Sequence, residues 1–169
     1  MKGLSKTIRR RRQEGRTDYN ARLYLLQSDK PRLIIRKTNR YIVAQIVKSD
    51  VAQDKVLFTV TSKELLAHGW PEKLNGSLKS LVAAYLTGML LANKAKNINE
   101  AIIDIGLQRN VKKGRLYALV RGASDAGLNI PYGKEVAPDD DRLESNEKTR
   151  EILTKLKAKL NNGRKGNKE

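Results

Sequence analysis

The sequence predicts a mixed α/β fold: a single mixed β-sheet, a three-stranded antiparallel meander plus one parallel strand, packed with helices. Three observations predict it. Three short runs rich in β-branched residues succeed one another between residues 32 and 61; a long apolar helical face follows; a brief apolar run without polar alternation comes after that helix. A helical crossover out of a meander returns the chain parallel to the strand it joins, and such crossovers are almost always right-handed.

The elements follow in order. Residues 32–38, Arg-Leu-Ile-Ile-Arg-Lys-Thr after Pro31, read as the first strand. Asn39-Arg40 makes a polar two-residue break before the second strand, residues 41–47, so the pair reads as a hairpin. A polar loop over Ser49–Asp54 leads to a third strand over Lys55–Thr61. Thr61 and Glu64 have capping-box spacing, and Gly69-Trp70-Pro71 stops the short helix they open. The turn Asn75-Gly76-Ser77 is expected to start a long helix reaching about Lys96. Its apolar face is Leu78, Leu81, Val82, Tyr85, Met89 and Leu90. Residues 101–105 read as a buried parallel strand. Leu116, Leu119, Val120 and Ala123 mark a second helix, closed by Gly127. Residues 129–142 read as loop, and Ile152, Leu156 and Leu160 mark a charged amphipathic helix over 149–160.

At 169 residues, with 39% hydrophobic residues and 12 glycines, the chain has enough apolar material for one core and no sign of a second domain. The expected organisation is an arm over 1–24, a core over 25–130 and a C-terminal loop, helix and basic tail over 131–169. With no cysteine and one histidine, disulfides, thiolate zinc sites and multi-histidine metal cages are excluded. No apolar run approaches the length of a membrane span, and no apolar segment follows the basic N-terminus. The expectation is therefore a cytoplasmic protein with no membrane partner and no small-molecule substrate.

Charge points to the partner. The 35 Lys+Arg against 18 Asp+Glu give a net of +17, and the excess lies at the ends. Residues 1–40 carry +10, residues 41–154 only +2, and residues 155–169 carry +5. A nearly neutral body with cationic extensions is the charge layout of a protein that grips a polyanion. The C-terminal excess reads equally as a solubility tail. In the N-terminal segment, Arg9, Arg10, Arg11 and Arg12 precede Arg16, Tyr19 and Arg22. Four successive guanidiniums repel one another unless phosphates lie between them, and their planar forks match phosphate oxygens. Tyr19 is either a stacking face or an anchor onto the body. The segment has too few apolar residues for its own core and is expected to order on its partner.

The body adds Arg32, Arg36, Lys37, Arg40 and Tyr41 around the first hairpin. Alternation puts Arg32, Ile34 and Arg36 on one sheet face and Leu33, Ile35 and Lys37 on the other. A second cluster, Arg109, Lys112, Lys113 and Arg115, precedes the second predicted helix and reads equally as a solvated face. Nucleophile triads need a histidine base, and His68 sits at a helix end where capping explains it. No phosphate-cradling glycine loop is present. Asp139-Asp140-Asp141 lacks the pattern of a calcium loop and suits a helix N-terminus. Asp104, on the buried strand, lacks the converging carboxylates that a two-metal nuclease needs. Neither cofactor nor catalytic residue is expected, and the aromatic share of 5% is too low for a base-stacking platform.

Several blocks in order carry a family resemblance: Arg9 to Tyr19, Lys30 to Arg40, Ala44-Gln45, Gly69-Trp70, Ala84 to Gly88, Ala101 to Leu107 and Gly122 to Pro131. Over about residues 7–150 the chain resembles the archaeal form of large-ribosomal-subunit protein eighteen. The resemblance implies a non-enzymatic ribosomal protein that binds 5S rRNA and helps attach it to 23S rRNA. It implies a place in the central protuberance, beside neighbouring large-subunit proteins. Carried over by position, the RNA contacts would be Arg9–Arg12, Arg16, Tyr19, Arg22, Arg32, Arg36, Asn39 and Arg40. The implied topology is ribonuclease-H-like, which makes Asp104 a relic of sheet architecture. Composition alone also admits a DNA- or chromatin-associated architectural protein, though no groove-reading helix is apparent.

Overall fold

The computed structural model describes residues 7–50 and 53–165. The first six residues and the last four, which belong to the expected arm and basic tail, lie outside the described residues. So do residues 51 and 52, in the expected 49–54 loop.

The sheet is the one expected. Strands β1 (Arg32–Lys37), β2 (Ile42–Asp50), β3 (Gln53–Thr61) and β4 (Ile102–Asp104) lie in the order β3-β2-β1-β4. The first three are antiparallel neighbours, and β4 runs parallel to β1 with Arg32 opposite Ile102 and Ile34 opposite Asp104. The β1–β2 hairpin closes on Thr38, whose N–H and hydroxyl both donate to the Tyr41 carbonyl at 2.9 and 2.7 Å. The Ser49–Asp54 segment departs from the expected loop. It is ladder almost throughout, pairing Ser49 with Asp54 and Asp50 with Gln53, because polar residues are tolerated on a solvent-facing hairpin end. A bulge between Ile46 and Val47 inserts Leu57 into β3 and adds local twist.

One sheet face, with Leu33, Ile35, Ile42, Ala44, Ile46 and Val60 fully buried, packs under the helices. The Thr61–Glu64 capping box forms, the Thr61 N–H donating to Glu64 Oε1 at 2.9 Å, and leads into α3 (Leu65–His68). Gly69, at φ 115°, ends α3 in the left-handed conformation that glycine adopts without strain. The long helix α4 (Leu81–Lys94) begins later than expected. Residues Glu72–Ser77 form a 3-10 helix, and Ser80 is the true cap, its hydroxyl accepting from the Ala83 N–H. Leu78 is buried all the same, so the apolar pattern anticipated burial correctly and the helix boundary wrongly.

Helix α4 is buried around nearly its whole circumference, from Val82 to Ala92, because β2 and β3, α5 (Arg115–Asp125) and α7 (Glu147–Lys165) enclose it. Its approach to α5 rests on two glycines. A Cβ on Gly88 would lie 2.0 Å from the Leu119 carbonyl oxygen, and one on Gly122 would lie 2.0 Å from that of Tyr85. Glycine inside a helix costs about 1 kcal/mol relative to alanine, and here it permits backbone-to-backbone packing no other residue allows.

Two helices differ from expectation near the C-terminus. Within the expected 129–142 loop, α6 (Asp140–Glu144) starts, with Asp140 and Asp141 in its first turn, the dipole placement anticipated for that acidic run. Helix α7 is longer than 149–160 and buries Ile152, Leu153, Leu156 and Leu160. The arm also departs: it holds α1 (Arg10–Gln13) and α2 (Tyr19–Gln27), with no residue of either buried. Local hydrogen bonds and ion pairs supply the order that apolar burial does not.

Candidate nucleic-acid interface

The arm is built by capping and charge. Asp18 caps α2, its Oδ1 accepting from the Asn20 and Ala21 N–H groups at 2.9 and 3.1 Å. Arg11 Nε donates to Thr17 Oγ1 at 2.9 Å, and the Arg9 guanidinium sits 4.7 Å from the Tyr19 ring centroid. Tyr19 therefore acts within the arm, as the platform for Arg9. Glu14 pairs with Arg10 and Arg16, yet those side chains stay 82% and 67% exposed. The Arg12 guanidinium forms no ion pair or side-chain hydrogen bond among the described residues, and Arg12 is exposed. The arm thus displays several guanidiniums against two carboxylates, of which Asp18 is spent on capping α2 and Glu14 makes the ion pairs within the arm.

The arm is tied to the body at Asp54. Arg22 Nη2 donates to both its carboxylate oxygens, at 3.0 and 2.9 Å. Arg32 Nη2 donates to Asp54 Oδ1 at 2.7 Å and to Ser49 Oγ at 3.1 Å, while Ser49 Oγ donates to the same Oδ1 at 2.6 Å. Burial pushes the Asp54 carboxyl up, but hydrogen bonds from Ser49, Arg22 and Arg32 outweigh it and hold it below its ordinary value.

Arg32 therefore differs from what the resemblance implies. It is 1% exposed, and its other nitrogen, Nη1, donates to Asp104 Oδ2 at 2.7 Å. A guanidinium so buried and so engaged cannot present itself to a phosphate; it serves the protein's interior. Arg36, two residues along on the same sheet face, does reach out. Its guanidinium donates to its neighbour Ile35 O and lies flat over Gly106, where an added Cβ would come within 3.1–3.3 Å of it. Gly106, at φ 57°, in turn donates its N–H to Asp104 Oδ1 at 2.9 Å.

Arg11, Arg16, Arg22 and Arg36 meet around one groove of about 480 Å³, walled by Tyr24 of α2 and Leu107 beyond β4. Tyr24 and Leu107 are 72% and 55% exposed. The hairpin tip, Asn39 and Arg40, borders a separate shallow cleft with Lys79. Lys112, Lys113 and Arg115 lead into α5, and Lys113 and Arg115 share a further cleft with Lys37 of β1. Lys113, at φ 54°, pairs with Asp139 at 2.5 Å, and that lysine holds the Asp139 carboxyl below its ordinary value. Asp54, Lys79 and Tyr24 were not singled out from sequence. Asp54 sits in a polar stretch with no pattern to mark it, whereas Tyr24 could have been found as an aromatic within a basic segment.

Among the described residues no cluster of three His, Cys, Asp or Glu side chains could hold a metal, and no helix is long and apolar enough to cross a membrane.

Comparison with known proteins agrees with this surface. Residues 5–100 match the family model for ribosomal large subunit proteins 60S L5 and 50S L18. The chain is 49% identical over 136 residues to large ribosomal subunit protein uL18 of Methanoculleus marisnigri, covering 79% of this chain and 75% of that protein. It is 48% identical over 143 residues to the uL18 of Korarchaeum cryptofilum (83% and 71%). It is 43% identical over 152 residues to that of Methanoregula boonei (85% of each). Membership makes the chain a structural, non-enzymatic component whose partners are ribosomal RNA and other ribosomal proteins. The chain belongs to the archaeal uL18 family of the large ribosomal subunit.

Proposed function

We propose that this chain binds 5S rRNA and helps attach it to 23S rRNA in the central protuberance, beside neighbouring large-subunit proteins. The observation that carries the reading is the arm: exposed guanidiniums of Arg10 and Arg12 on α1 and of Arg16 in the segment after it, anchored to the sheet through Arg22 of α2 and Asp54. Arg9, Arg11, Arg36, Asn39 and Arg40 extend the grip, with Tyr19 holding Arg9 in place. Lys37, Lys112, Lys113 and Arg115 supply further RNA contacts. Arg32 acts indirectly, by fixing Asp54.

Phosphate neutralisation makes binding salt-dependent. If arm and hairpin neutralise about six phosphates, log K falls with log salt at a slope of magnitude ~4–5. The test is a titration against 5S rRNA, tRNA and duplex DNA at near-physiological salt. Strong preference for 5S rRNA with that slope supports the reading. Equal binding to all three, or a salt-insensitive complex, overturns it.

A further inference from the structure

Strand alternation sends two adjacent cations to opposite sides of the sheet. Arg36 joins the arm groove; Lys37, its neighbour, faces a second cleft of similar size on the helix side. Lys37, Arg109, Lys113, Arg115 and Arg142 line that cleft, and no acidic residue does. Lys113 is answered by Asp139. Arg109, Arg115 and Arg142 form no ion pair among the described residues, although Arg142 joins Lys113 in holding the Asp139 carboxyl below its ordinary value.

Backbone geometry adds to the charge. Helices α4 and α5 both start at this end of the sheet, where the parallel strands β1 and β4 finish, and both starts line the cleft, at Ser80–Val82 and Gly114–Leu116. No side chain caps α5. The close contact at Gly88 and Gly122 brings the two like-oriented dipoles side by side, positive ends together. Three guanidiniums without an ion pair and a lysine beside two positive helix ends repel one another, and a bound anion relieves that repulsion.

We propose that this cleft is a second RNA-backbone site, separate from the arm, which takes phosphodiester groups of an RNA segment against Arg109, Arg115, Arg142 and Lys37. The inference rests on the RNA-binding reading above and adds a location to it. Its charge is spread over β1, the β4–α5 segment, α5 and α6, more cations than a lone phosphate engages, which favours a polymer backbone as occupant. Arg142 enters the site solely through folding: it lies 27 positions beyond Arg115, in a segment that reads as loop.

The test uses the full chain with Arg9–Arg12 replaced by Ala, so that the arm is silenced, and a short RNA duplex as probe. Adding Arg109→Ala, Arg115→Ala and Arg142→Ala should weaken residual binding at least about tenfold at low salt. The same change should reduce the log–log salt slope by about 3. A charge-matched control replaces Lys55, Lys63 and Lys73, exposed cations outside the cleft, by Ala. If the control loses as much binding as the cleft variant, or the cleft variant loses none, the inference falls. Displacement of the duplex by inorganic phosphate at matched ionic strength would make the cleft a small-anion site and also overturn it. Thermal unfolding checks the fold: the cleft variant should melt no lower than its parent, since those arginines make no ion pair. Preference for 5S rRNA over tRNA is measured on the unmodified chain in the same series. Loss of that preference refutes the functional reading; an intact preference with an inert cleft refutes only the second site.

Discussion

Arg32 and Asp104 lock the two parallel strands together: across the β1–β4 junction, Arg32 Nη1 donates to Asp104 Oδ2 at 2.7 Å. Asp104 spends its other oxygen on the Gly106 N–H, which shapes the loop beneath Arg36. The parallel ladder pairs only three residues, so this buried ion pair supplies much of what holds β4 in register. It also accounts for a buried carboxylate on the sheet's edge strand in a protein with no catalytic role.

Removing one partner of that pair should be costly. Asp104→Ala leaves the Arg32 charge buried with one partner fewer, an expected loss of about 3–5 kcal/mol by urea denaturation. The double variant Arg32→Met, Asp104→Leu should recover most of it, because no charge is then stranded. Equal losses in the single and double variants would mean that packing alone matters there.

The glycine crossing makes a sharper demand. Gly88→Ala and Gly122→Ala each drive a Cβ into a carbonyl oxygen at 2.0 Å, and both atoms belong to helix backbone that cannot swing aside. Each should destabilise by about 3 kcal/mol or more in urea melts, despite alanine's better helix propensity. A gain in stability would show that the helices can separate freely.

Acid should release the arm. The Asp54 carboxyl is held below its ordinary value of 3.8, so the folded state binds its proton less readily than the unfolded chain. Its contribution is complete above about that value and is lost as pH falls through the lower folded one. Hydrogen exchange should show α2 amides losing protection in that acid range before the sheet does. Asp54→Asn should remove the pH step and leave α2 less protected at neutral pH.

Binding and stability should separate by location. Replacing Arg9–Arg12 by Ala should weaken RNA binding while changing folding stability by less than about 0.5 kcal/mol, since α1 and α2 bury no residue. Tyr85→Ala should do the reverse at a cost of about 3–5 kcal/mol: the ring is buried, and its hydroxyl donates to Asp125 Oδ2 at 2.8 Å. Leu81, half-buried at the start of α4, should cost less than Tyr85.

Much of this molecule is written in its local patterns. Alternation from 32 to 61 marked the meander, helical spacing from Leu81 to Leu90 marked α4, and the Thr61–Glu64 spacing marked a real capping box. The cationic ends and the arginine run by themselves point to a polyanion partner. Each of these signals depends on residues a few positions apart, so chain-neighbour geometry suffices to read it. The roles of individual charges do not work that way. Arg32 and Arg36 share a strand and a face, yet one is buried against carboxylates 22 and 72 positions away and the other is exposed. Asp54 became the anchor of the arm, and Arg142 joined Lys37 and Arg115, only once folding had brought distant segments together. Whether an arginine meets a carboxylate or solvent is a long-range electrostatic outcome, and periodicity along the chain carries no record of it.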